Sequence, residues 1–198
     1  MRCLVVFCHP DPESFNAALF RAAREALEKA GNELRCLDLY AEGFDPVLSR
    51  AERAVYNTNP ALIAAQVQPH VDALDWAEHL VFIYPTWFYG PPAMLKGWLE
   101  RVWLPGVAFE SPTVKGEAPR AALGHVRRLT VVTTTGSPWW WLKLMGDPGR
   151  TLFARGLRVL FARRCKTTVL QLHNMDNVTR EDCTRFLNKV SSTLGAMS

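Results

Sequence analysis

Apolar residues along this chain gather in short unbroken runs, separated by longer stretches with helical spacing. The first run is Leu4-Val5-Val6-Phe7-Cys8, inside an apolar segment at residues 2–8. A run that is apolar at every position suits a strand buried on both faces. His9-Pro10 ends it, and Asp11-Pro12-Glu13-Ser14-Phe15-Asn16 supplies a turn-rich loop. From Phe15 the apolar positions are Phe15, Leu19, Ala22, Ala23, Ala26, Leu27 and Ala30, one face of a helix. Gly31-Asn32 stops that helix as a C-cap does. Residues 34–40 read as a second strand.

Residues 45–66 are polar and broken by Pro46 and Pro60, so they read as loop with one or two short helices. Residues 71–77 read as the end of a helix. Leu80-Val81-Phe82-Ile83-Tyr84 is a third buried strand, halted by Pro85. A helix is expected over 93–102, a strand rich in β-branched residues over 129–134, and a helix over 151–161. A fifth strand is expected over 167–172. The closing helix, 179–194, has Thr179 as N-cap and Asp182 as its capping-box partner.

Five strands alternating with about five helices imply a parallel sheet covered on both faces. Right-handed crossovers make it a doubly wound α/β sheet, and in a 2-1-3-4-5 order strands one, three and four are adjacent. Ligands in such sheets sit beyond the carboxyl ends of the strands, where strand order reverses. The loops at 9–16, 85–92 and 135–149 follow strands one, three and four. In that order they converge on one crevice.

Each loop carries unusual chemistry. The first has no glycine, which excludes a GxGxxG fingerprint and a P-loop. Ser14 and Asn16 instead open a helix whose free N–H groups and dipole suit an anion, with His9 as a further donor. The plainer alternative is that Ser14 only caps the helix. The second loop, Pro85-Thr86-Trp87-Phe88-Tyr89-Gly90, sets three aromatics in a row. In extended chain Trp87 and Tyr89 point one way and Phe88 the other; in a turn they present one aromatic face with backbone donors. The third loop begins Thr133-Thr134-Thr135-Gly136, where Gly136 permits close backbone approach. It continues Ser137-Pro138-Trp139-Trp140-Trp141, and three consecutive Trp in a loop cannot all face one core.

Bulk properties narrow the class. The 198 residues are 48% hydrophobic and 21% charged, which suits a single domain over 1–198. The net charge of +4 has its densest stretch at residues 155–166. That stretch reads as a solvated helix face, and no nucleic-acid motif accompanies it. The five cysteines are odd in number and form no CxxC pair, so neither a disulfide framework nor a metal site is expected. Reduced cysteines without a leader point to the cytoplasm, and no run is long enough to span a bilayer.

Taken together, HPDPESFN at 9–16, DLYAEGFDPVLS at 38–49, the segment 84–109 and TTTG at 133–136 resemble the NAD(P)H:quinone oxidoreductase family. That resemblance implies a flavodoxin-like three-layer sandwich that carries FAD, with FMN as the alternative. It implies NAD(P)H as donor, a quinone-like acceptor reduced by two electrons, and a homodimer with sites at its interface. By position, His9, Ser14, Phe15, Asn16 and Ala18 are similar to the family's phosphate contacts. Pro85, Thr86, Trp87, Phe88 and Tyr89 resemble its isoalloxazine platform. Thr134, Thr135 and Gly136 resemble the loop over the flavin's pyrimidine edge. Lys96-Gly97-Trp98 and Arg101 lie on the helix that borders the partner subunit in the family. One departure stands out. Where DT-diaphorase has a Tyr and a His after this loop, residues 139–149 have neither. Trp140, Trp141 and Asp147 are the residues expected to replace them. A second reading, through potassium-efflux relatives, is a redox-active regulatory subunit of a transporter.

Overall fold

The computed structural model describes residues 1–112, 114 and 116–197. Strand β1 (Arg2–Phe7) leads into helix α1 (Phe15–Lys29) and strand β2 (Glu33–Asp38). Short helices α2 (Arg50–Val55), α3 (Ala61–Ala64) and α4 (Gln68–Trp76) bring the chain to β3 (His79–Thr86). Helix α5 (Ala93–Val102) is followed by a small antiparallel pair, β4 (Phe109–Glu110) and β5 (Arg120–Ala121). Then come β6 (Arg128–Thr135), helices α6 (Trp139–Leu144) and α7 (Pro148–Thr151), β7 (Lys166–Leu172) and α8 (Arg180–Gly195). The five long strands are parallel, in the order β2-β1-β3-β6-β7. This is the 2-1-3-4-5 arrangement expected of a flavodoxin-like sandwich.

Two apolar layers sandwich the sheet. Helices α1 and α8 cover one face, where Leu19, Leu27 and Val190 meet Val81, Ile83 and Val132. Helices α4 and α5 cover the other, where Val71, Leu74 and Trp98 meet Leu80 and Phe82. Each such buried side chain contributes roughly 2 kcal/mol of transfer free energy. Helix α1 is framed as its sequence predicts. Ser14 accepts from the Ala17 N–H at 3.2 Å, and Gly31 follows with φ +76°. At α8, Thr179 and Asp182 form the expected reciprocal capping box.

Helix α5 is locked to the segment before α2. Gly97 lies so close to Pro46 that an added Cβ would stand 2.2 Å from its carbonyl oxygen. The Arg101 guanidinium pairs with Glu52 at 2.5 Å and donates to the Asp45 carbonyl at 2.6 Å. Burial alone would raise the Glu52 pKa. The Ser49 N–H and Arg101 outweigh it and hold the carboxyl below its ordinary 4.5. Of the positions that resemblance set on this helix, Gly97, Trp98 and Arg101 therefore face inward, and Lys96 faces out.

Three stretches differ from the pattern reading. Strand β3 does not stop at Tyr84 but runs through Pro85 to Thr86, in register with Thr134 and Thr135. The backbone side that lacks a donor at Pro85 faces β1, whose pairing with β3 has ended at Ile83. The 151–161 helix is instead a π turn, Leu152–Gly156, followed by a 3-10 turn, Leu157–Leu160. Changing the winding lets both Phe153 and Phe161 reach the core, Phe153 against Phe82 and Phe161 against Trp103. The Trp-rich stretch is helix α6 rather than loop.

Candidate functional site

A cleft of about 960 Å³ opens at the carboxyl ends of β1, β3 and β6. That is the upper end of the range for ligand pockets. Every residue expected to hold or work on a cofactor lines it, apart from Ala18 and Asp147. Ala18 is one turn into α1, its N–H bonded back to Ser14. Asp147 is the N-cap of α7, accepting from the Arg150 N–H, with φ +42°.

The first wall is the start of α1. The Phe15 and Asn16 N–H groups lie in its first turn, where a helix offers no internal acceptor. His9 Nδ1 lies 3.0 Å from the Asp11 N–H and 3.1 Å from the Asp11 carbonyl, which ties that edge of the ring to the loop. Asn16 is buried, and its Nδ2 donates to Thr134 Oγ1 at 2.9 Å. That bond fixes the carboxamide, and its Oδ1 is left buried without a protein partner.

The second wall is a two-residue hairpin. Trp87 and Gly90 exchange both backbone hydrogen bonds at 3.0 Å. The central residues Phe88 and Tyr89 have φ +46° and +65°. Bulky residues in this region carry strain of order 1 kcal/mol each, held here by surrounding bonds. The extended-chain alternation is thereby lost. Phe88 stands wholly in solvent, while the Trp87 ring faces His9 across 6.0 Å.

The floor is the end of β6. Thr133, Thr134 and Thr135 are buried, and Thr86 and Thr133 hydroxyls bond at 2.9 Å. Gly136 is closely approached by Asp176, whose Oδ2 would lie 3.4 Å from a Cβ there. Asp176 and Met175 were not foreseen as lining residues. They arrive on the turn after β7, where Asn174 adopts φ +61° and donates its N–H to the Ser137 carbonyl. Since β7 neighbours β6, the order of strands itself was the signal. Ser137 and Pro138 complete this side.

The third wall is α6. Trp140 and Trp141 meet edge to face at 5.7 Å, and both line the cleft. Trp141 Nε1 donates to the Tyr89 hydroxyl at 3.1 Å, and the Gly149 N–H to the Tyr89 carbonyl at 2.9 Å. The Trp segment is thus fastened to the aromatic turn at both ends of one residue. Asp147 acts electrostatically on Tyr84 and His173 instead of facing the cleft. Burial raises the Tyr84 hydroxyl and Asp147 adds to this, whereas burial lowers His173 and Asp147 opposes it.

No cysteine lines the cleft. Cys8, at the end of β1, has its thiol pushed up to about 12 by burial, and Cys3 is pushed to about 11. Among the described residues no group of three His, Cys, Asp or Glu gathers as for a metal ion. What the cleft offers is an anion-binding helix end, an orphaned buried acceptor, flat aromatic walls and a threonine–glycine edge. A flavin would fit this set, with N–H donors at the start of α1 for a phosphate, an acceptor at Asn16 Oδ1 for a hydroxyl and the aromatic hairpin for a ring.

A family model described as a flavodoxin-like fold matches residues 1–185. The chain belongs to this family. The curated relatives it matches carry quinone-reductase names, in line with the resemblance read from the motifs. It is 34% identical to NAD(P)H dehydrogenase [quinone] 1 of Rattus norvegicus over 151 residues, 69% of this chain and 54% of that protein. The chain therefore spans about half the length of the curated relatives it matches. Smu.1420 of Streptococcus mutans UA159 is 28% identical, covers 100% of both chains and superposes with a TM-score of 0.86. The NAD(P)H:quinone oxidoreductase of Methanothermobacter marburgensis shares the fold, with a TM-score of 0.85 over 100% of this chain and 99% of that one, at 24% identity.

Proposed function

We propose that this protein is a flavin-dependent NAD(P)H oxidoreductase, an enzyme that reduces quinones or similar acceptors by two electrons. The observation that carries the reading is the convergence of the α1 N-terminus, the 85–89 turn and the 134–136 edge on one cleft. The names of the relatives support it. A bound flavin supplies the exchange of two electrons between the nicotinamide donor and the acceptor.

The protein's part is binding and orientation. The Phe15 and Asn16 N–H groups and His9 Nε2 hold the phosphate, as FAD or, alternatively, FMN presents it. Asn16 Oδ1 accepts from the cofactor's sugar chain. Pro85, Thr86, Trp87, Phe88 and Tyr89 bed the ring. Backbone donors at Thr135 and Gly136 stabilise negative charge at the ring edge, as preorganised dipoles do. Trp140 and Trp141 form the opposite face of the slot in which donor and acceptor take turns. A partner subunit closes the slot in a homodimer of single-domain chains working in the cytoplasm.

The test is spectroscopic. Purified protein should carry flavin absorbance that bleaches on anaerobic addition of NADPH and returns on addition of a quinone. Mass spectrometry of the heat-released flavin distinguishes FAD from FMN. A colourless protein that takes up neither flavin would sink the reading.

A further inference from the structure

Asp176 is the one acidic side chain among the described residues that line the cleft, and no Lys or Arg joins it there. Its placement is fixed by a clasp. Asn174 takes φ +61° and donates its N–H to the Ser137 carbonyl at 3.2 Å. The Asn177 N–H and Nδ2 return to the Asn174 carbonyl and Oδ1, each at 2.9 Å. The turn after β7 is thus tied to the loop after β6, with Asp176 brought up to Gly136. Its Oδ2 would lie 3.4 Å from a Cβ at Gly136, so the absence of a side chain there leaves the carboxylate beside the backbone.

Groups that could offset this charge are engaged elsewhere. Backbone donors of the turn go to Asn174 and Met175, and Arg185 of α8 pairs with Glu181 and Asp182. Arg180 is exposed at the start of α8 and lies outside the cleft lining. The Ser137 N–H goes to Thr135 Oγ1 at 3.2 Å. A full negative charge therefore stands at the same edge where Thr135 and Gly136 offer their donors. The function proposed above brings charge to that edge. A hydride carries two electrons and one proton from the nicotinamide to the ring, and the donor leaves oxidised. The reduced ring then holds one more negative charge than before. Backbone dipoles favour that charge, and the carboxylate opposes it. A ring that fills the cleft displaces the water that would otherwise screen the opposition.

We propose that Asp176, set against Gly136, weakens the cleft's hold on the reduced ring relative to the oxidised ring and so makes the bound cofactor a stronger reductant. The inference rests on the flavin reading of the cleft. Asp176 acts through the ring and does not touch the acceptor. The half-reaction that gains is the second, in which a quinone takes the hydride from the ring and one proton from water and leaves as the hydroquinone.

Redox titration of the flavin-loaded protein against a reference dye tests this. Asp176→Asn keeps the shape and removes the charge. Its midpoint potential should rise by about 30 mV or more, a tenfold shift toward the reduced form for a two-electron couple. Asp176→Glu keeps the charge and should stay near wild type. The asparagine variant should hold oxidised flavin at least as tightly as wild type does. In stopped flow a quinone should reoxidise it several-fold more slowly, with urea denaturation unchanged. An unchanged potential in Asp176→Asn overturns the proposal. So does an equal shift in both variants, which would assign the effect to shape. An asparagine variant that loses its flavin also overturns it, because removing a repelling charge does not loosen an anionic cofactor. A colourless wild type that takes up neither FAD nor FMN sinks this inference together with the flavin reading. A flavin-bearing protein whose potential ignores Asp176→Asn sinks this inference alone.

Discussion

Helices α5 and α6 each follow a central strand that ends at the cleft, and each carries tryptophan, yet they use it in opposite ways. Trp98 of α5 is wholly buried, with its Nε1 donating to His70 Nδ1 at 3.3 Å. Trp139 of α6 is mostly in solvent. Helix α5 is a structural member, closed against the sheet and clamped by Gly97 and Arg101. Helix α6 touches the core through one leucine and spends its large side chains on the cleft and its rim. The difference teaches where change is tolerated. Substitutions on α5 should cost folding, and substitutions on α6 should cost recognition.

The strongest challenge to that contrast is Glu52→Gln. It leaves the buried Arg101 charge with only the exposed Asp45 carboxylate, 3.9 Å away, and should destabilise the fold by about 3 kcal/mol, measured by urea denaturation. The same pair has a pH signature. Because the folded carboxyl sits below 4.5, its stabilisation is present above that pH and is lost as pH falls through the lower folded value. Wild type should lose this increment on acidification, and the glutamine variant should not. Next is Gly97→Ala, whose methyl collides with the Pro46 backbone; roughly 3 kcal/mol should be lost. If either change is nearly neutral, α5 is not the clamp described. The smallest effect on stability is expected from Trp141→Phe, which removes the bond to the Tyr89 hydroxyl. It should cost about 1 kcal/mol or less while changing KM for the acceptor several-fold. Steady-state kinetics with unchanged denaturation would separate α6 from α5 in the manner proposed.

Much of the molecule could be read from residue order, because its signals are local. Leu4 to Cys8 and Leu80 to Tyr84 announce buried parallel strands, and their alternation with helical spacing dictates the sheet. Ser14 and Gly31 mark the ends of α1, and the loop chemistry at His9, Trp87 and Thr134 follows from position at strand ends. Other features depend on distant partners. Asp176 reaches Gly136 only because Asn174 bends the chain after β7 and bonds to Ser137. Asp147 looked like a cleft residue by its place after three tryptophans, but the cap of α7 claims it. The mixed winding between Leu152 and Leu160 answers the need to seat two phenylalanines eight residues apart. Periodicity alone reports a helix there and misses how it is wound.

The double attachment at Tyr89 has a consequence for redesign. Residues 137–149 form a cassette whose composition is open but whose span is not. One end must deliver a donor to the Tyr89 hydroxyl, and the other must bring a residue small enough to donate its backbone N–H to the Tyr89 carbonyl. A transplanted segment that keeps both fastenings can alter what enters the slot without disturbing the bed beneath it. One that is a residue too long would pull on the turn carrying Phe88 and Tyr89, where the backbone already has the least slack.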